Sequence, residues 1–274
     1  MTLCDILVLL DQFAHSAVRL DVAADLAARH GARLIGLRVE VYPHVPSAIR
    51  SAIVKGALET HAEAVQADTA RIEAGFRDAT ARRKVRAEWW VVREGGIARV
   101  REFARYANLT VIGQAAPDAE EEFSGAELIH DLVLGSGRPV LVVPYRPMAH
   151  HVGQRIAIAW NGSREASRAV ADAMPLLAHA DGVGVILAAG DRGSTADLIT
   201  GHLERNGVAA EMLPVSAHAH DHDAGVALLT EVDRFRADLL VMGAYGRSRV
   251  REVVLGGATR HVLHHLPIPA LMSH

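Results

Sequence analysis

Residues 5–39, DILVLLDQFAHSAVRLDVAADLAARHGARLIGLRV, return at residues 155–189 as RIAIAWNGSREASRAVADAMPLLAHADGVGVILAA. Each stretch opens with an apolar run of strand length, crosses a short polar turn, continues with helical period and closes on a second apolar run. Asp11 falls on Asn161, a shift of 150 residues. Further on, NLTVIG (108–113) matches DLLVMG (238–243), and RPVLVV (138–143) matches IPALMS (268–273). These place Gly113 on Gly243 and Pro139 on Pro269, a shift of 130 each time. The chain therefore reads as two copies of one unit. The change of shift, 150 minus 130, gives the first copy 20 extra residues between the anchors, in the region from about Glu40 to Arg86. The join falls at PMAHHVGQ, residues 147–154, so the expected domains are 1–148 and 153–274.

Within the second copy, RIAIAW, VGVILAA, AEMLPVS, LLVMG and PALMS are short and apolar, as strands buried on both faces must be. Between them REASRAVADAMPLLAHA, STADLITGHLERNG and AGVALLTEVDRFRA have helical period, and Gly207 after Asn206 is a helix stop. The first copy repeats the order with ILVLL, RLIGLRV, VRAEWWVV, LTVIG and PVLVV, and residues 45–84 supply a long second helix. Strand and helix in alternation predict an α/β fold: two tandem copies of a doubly wound, five-stranded parallel-sheet domain, Rossmann-like or flavodoxin-like in kind. Within one copy the apolar last strands, PVLVV and PALMS, would be exposed edges. Pairing them with each other about a pseudo-two-fold axis removes both edges at once. Adjacent Trp89 and Trp90 fall in one strand, so their rings face opposite sides of the sheet.

Bulk properties narrow the partner. Twenty-nine Lys and Arg against 32 Asp and Glu leave a net charge of -3, with no basic field to suggest nucleic acid or an anionic membrane. A single cysteine, Cys4, excludes an internal disulfide, and the opening run MTLCDILVLL is stopped by Asp11 before it could span a membrane. The expectation is a soluble cytoplasmic protein with a small-molecule partner.

Ligands of open parallel sheets bind beyond the carboxyl ends of the strands, where the strand order reverses. Attention falls on Asn161-Gly162-Ser163 and on GAYGRSRVREVVLGGAT, residues 243–259. Two adjacent glycines, Gly256 and Gly257, would weaken a continuous helix by about 2 kcal/mol, so the pair reads as a break with a new helix beginning near Ala258. Its free N–H groups and positive dipole end would face the turn from Gly243 to Gly246, an arrangement that suits phosphate.

These residues carry a family resemblance. Gly243-x2-Gly246-x9-Gly256, together with AWNGS at the end of the first strand, resembles the universal stress protein family, whose nucleotide-binding members show G-x2-G-x9-G-(S/T) after strand four. The resemblance covers the whole chain as a tandem pair. It implies ATP or ADP, with or without Mg, its phosphates over the glycine loop. By that match Gly243, Gly246, Arg247, Gly256, Gly257 and Thr259 face phosphates and ribose, while Trp160, Asn161 and the neighbourhood of Ala188 face ribose and base. The chain departs from the family at Gly257, where a Ser or Thr hydroxyl is missing, and at Asn161, an uncharged residue in place of aspartate.

The first copy has lost the motif: Ala116 and Ala126 stand where Gly246 and Gly256 stand in the second, and PDAEEEF sets carboxylates where a phosphate would sit. A structural, non-binding first copy is expected. In the second copy AHAHDHDAG places His218, His220 and His222 with two aspartates on one loop, a candidate ligand set for zinc or a similar metal, alongside its reading as a polar loop and helix cap. No Walker loop, nucleophile elbow or H-E-x-x-H helix is present, and no base is placed to activate water against a γ-phosphate. The sequence thus supports a stress-response regulator that binds ATP or ADP with little or no turnover. A slow ATPase and a non-binding scaffold acting on protein clients stay open, as does a homodimer.

Overall fold

The computed structural model describes residues 2–40, 52–114, 126–146, 151–187, 194–213, 224–246 and 257–274. Its first half runs β1 (Asp5–Leu10), α1 (Ser16–His30), β2 (Arg33–Val39), α2 (Ala52–Arg83), β3 (Ala87–Val92), α3 (Gly96–Ala104), β4 (Leu109–Gly113), α4 (Ala126–Gly135) and β5 (Val140–Val143). The second half repeats the order as β6 (Arg155–Trp160), α5 (Arg164–Leu177), β7 (Gly182–Leu187), α6 (Ser194–Arg205), β8 (Glu211–Leu213), α7 (Ala224–Arg234), β9 (Leu239–Gly243), α8 (Gly257–His265) and β10 (Ala270–Ser273).

All ten strands join in one sheet, ordered β3-β2-β1-β4-β5-β10-β9-β6-β7-β8. Every pairing within a half is parallel. Where the halves meet, β5 and β10 pair antiparallel, Val140 opposite Met272 and Val142 opposite Ala270. The expected joining of the two apolar last strands is therefore the seam of the molecule. Central strands β4, β5 and β10 are buried along their whole length, whereas the sheet ends in β3 and the three-residue β8, whose residues are partly exposed.

One apolar layer holds residues of α1, α2, α5 and α6, the other residues of α3, α4, α7 and α8, each across both halves. Trp89 packs on Phe76 in the first layer and Trp90 on Phe103 in the second, one ring to each face as period two requires. Helix ends follow their local chemistry. Gly31 closes α1 in a left-handed conformation, with Ala32 N bonded to Ala27 O, and Gly207 lies beyond α6 at φ +78°. Ser163 caps α5 by accepting from Ala166 N at 3.1 Å.

Candidate functional site

In the second half β6 has β7 on one side and β9 on the other, so the connections leaving β6 and β9 part company at the carboxyl edge. That is the switch point at which a crevice opens. Trp160 ends β6 and Gly243 ends β9, so the two sequence signals, AWNGS and the start of the glycine motif, arrive at neighbouring positions.

Asn161 is held by its own turn: its side-chain oxygen accepts from Ser163 N at 3.1 Å, while the Ser163 hydroxyl caps α5. The indole N–H of Trp160 is buried without a hydrogen-bond partner while its ring packs against the α5 layer. A buried donor without an acceptor costs free energy.

Gly243 is tied to packing. A Cβ there would lie 2.5 Å from the Glu165 carbonyl carbon and closer still to Ala166 N, so β9 touches the first turn of α5 through bare backbone. Beyond it, Ala244 N donates to Ser273 O at 2.9 Å and the His274 ring is 3.0 Å from Ala244 O, clamping the loop to the end of β10. Tyr245 then adopts φ +62°, a left-handed conformation uncommon for a bulky side chain. Its hydroxyl is buried and unpartnered, its ring meets His130 edge-on at 5.0 Å, and burial pushes its pKa up to about 12.

At Gly246 the neighbour is a carboxylate. A Cβ would sit 2.6 Å from Glu165 Oε2 and 3.1 Å from its Cδ. Glu165 is 7% exposed, in the first turn of α5, and pairs at 3.0 Å with Arg164, which is 76% exposed at its side chain. Burial alone would raise the Glu165 pKa. Its own backbone N–H, the Arg164 guanidinium and nearby His274 outweigh that and hold the group below the usual carboxylate range. Opposite, α8 starts at Gly257, one residue before the expected break point, with Thr259 buried in its first turn. The first turns of α5 and α8 both open at the carboxyl edge of the sheet, and helix N-termini favour anions.

Of the residues expected at the site, Trp160, Asn161, Gly243, Gly246, Gly257 and Thr259 lie on this edge. Ala188, Arg247 and Gly256 lie outside the described residues, as do His218, His220 and His222. Among the described residues no group of three or more His, Cys, Asp or Glu side chains could hold a metal ion. Sequence reasoning missed Glu165, Tyr245 and His274. Glu165 had a visible signal, an acid two residues beyond the Ser163 cap, but that pattern reads equally as ordinary helix capping.

A sequence model of the universal stress protein family matches residues 153–274. That half is a universal stress protein domain. Over its full length the chain is similar in fold to a universal stress protein from Archaeoglobus fulgidus DSM 4304, with 15% identity, a TM-score of 0.74, and 98% of this chain and 97% of that one covered. It is also similar to a functionally unknown protein from Pseudomonas aeruginosa PAO1, with 14% identity, a TM-score of 0.57, and coverage of 99% and 92%. At these identities the likeness speaks for the fold, here the tandem arrangement. No curated protein matches the chain. Among the described residues no helix is long and apolar enough to cross a membrane.

Outside the universal stress protein domain, the corresponding edge of the first half is filled by its own side chains. Arg19, 1% exposed, pairs with Asp11 and donates to Ser16 Oγ at 3.1 Å. Its guanidinium lies against Gly113, where a Cβ would be 3.4 Å from Arg19 Cζ and nearer still to Nη1. By the repeat, Arg19 stands where the second half has Ala169, so a large cation occupies room that the second half leaves to alanine.

Proposed function

We propose that the protein is a nucleotide-responsive regulator whose universal stress protein domain binds ATP or ADP with little or no turnover, in the setting of a stress response. The observation that carries this reading is that the N-termini of α5 and α8, the glycine backbone at Gly246 and Trp160 at the end of β6 all lie at one switch-point edge of the sheet. Phosphate would be held by backbone N–H groups around Gly246, Gly256 and Gly257, with Arg247 and Thr259 beside it. Trp160, Asn161 and the stretch at Ala188 would face ribose and base. The first half, its edge closed by Arg19 and Asp11, serves as the structural partner. Glu165, the carboxylate beside Gly246, is ion-paired with Arg164 and so is not a free base to activate water.

The test is direct. Freshly purified protein is denatured and released nucleotide quantified by chromatography, and the emptied protein is titrated calorimetrically with Mg-ATP. A single adenine nucleotide per chain, lost in Gly246→Trp, is the expected result. No released nucleotide and no heat would overturn the reading in favour of a scaffold.

A further inference from the structure

Glu165 presents an electrostatic problem that the nucleotide reading must meet. Its carboxylate lies between the first turn of α5 and Gly246, in the place where an entering phosphate oxygen would gain from both. It is almost fully buried, and its surroundings hold it ionised at neutral pH. Its cation partner, Arg164, is mostly exposed and already engaged, so this pair itself offers a polyanion no net positive charge. Two like charges a few ångströms apart in a partly dry crevice repel strongly. The position after β6 offers no second acid, since it is Asn161, with its side-chain oxygen committed to Ser163 N.

A hard divalent cation resolves the conflict. Mg²⁺ is bound in proteins by one or two carboxylates together with substrate phosphates, keeping several waters. One ionised, buried carboxylate at the rim of a phosphate crevice is the donor such an ion requires. We propose, resting on the nucleotide reading above, that Glu165 is the specificity-determining residue of the second-domain site: it rejects free nucleotide phosphates and accepts them as their divalent-cation complex, with its carboxylate as the protein's ligand to the cation, direct or through water.

Two sets of titrations test this. On the unaltered protein in EDTA, affinity falls in the order AMP, ADP, ATP as phosphate charge grows, and addition of Mg²⁺ tightens ATP by about tenfold or more. Glu165→Gln, nearly isosteric, binds metal-free ATP at least about tenfold tighter than the unaltered protein and loses most of the Mg²⁺ effect. Glu165→Asp, which keeps the charge, retains it. Affinity rising from AMP to ATP without metal would overturn the proposal, as would an unchanged ratio of Mg-ATP to ATP affinity in Glu165→Gln, with nucleotide binding itself left standing. Absence of binding by every protein under every condition would overturn the nucleotide reading and this inference with it.

Discussion

At Gly243 a methyl group would meet backbone; at Gly246 it would meet the end of a movable side chain. Backbone cannot give way without shifting α5 against β9, and overpacking of that kind costs about 1–3 kcal/mol. Gly243→Ala is expected to lower stability by that amount in urea titration, and Gly246→Ala to cost clearly less, because Glu165 can turn aside. Gly75 is the control: it lies in α2, where an added methyl would find nothing within 4 Å, so Gly75→Ala should stabilise by about 0.5–1 kcal/mol. Equal losses at Gly243 and Gly246 would show that Glu165 cannot turn aside and that both glycines serve packing; no loss at either would leave the spacing to the ligand alone. The spacing G-x2-G reads in the sequence as a candidate site, but the packing of Gly243 on α5 does not show there. Spacing says that a Cβ is unwelcome, and only the fold says whether a helix or a ligand excludes it. The same limit hid Glu165, whose burial depends on a strand end that lies 78 residues further along the chain at Gly243.

Among the elements, the strands and the start of α8 near Ala258 were the most legible, because apolar runs and glycines act locally. What local pattern could not supply is how helix ends meet. His30 closes α1 and His179 follows α5, and their rings cross edge-on at 5.2 Å on the layer shared by the two halves. Burial, then His179, then Arg29 lower the His30 pKa to about 4. A histidine depressed below its ordinary value of 6.5 takes up a proton more readily unfolded than folded. Its contribution to stability is therefore fully present above about pH 6.5 and is lost as pH falls from there towards about 4. Glu165, held below the carboxylate range, adds to the loss at the acid end of the same branch. His30→Gln should flatten the fall in unfolding free energy between about pH 6.5 and 4. An acid branch as steep as that of the unaltered protein would place the sensitivity elsewhere.

For the whole molecule, the tandem repeat predicted two similar bodies, and the structure joins them through main-chain pairing between β5 and β10 and through two apolar layers that each draw on both halves. Separate domains joined by a linker would unfold separately. A continuous ten-stranded sheet with a buried central seam should unfold as a unit, since opening either half strips partners from the other. The three tryptophans allow the test, with Trp89 and Trp90 in the first half and Trp160 in the second. Trp160→Phe leaves fluorescence to report the first half, and the double change Trp89→Phe, Trp90→Phe leaves it to report the second. Within each variant, the fluorescence transition in urea should coincide with that seen by far-ultraviolet circular dichroism. Leu271, 1% exposed at the seam, provides the perturbation: Leu271→Ala should cost about 2–5 kcal/mol and shift both reporters together. A shift confined to the Trp160 reporter would mean that the seam fastens two independently stable halves, and that ligand binding in the second could not be felt by the first through the sheet.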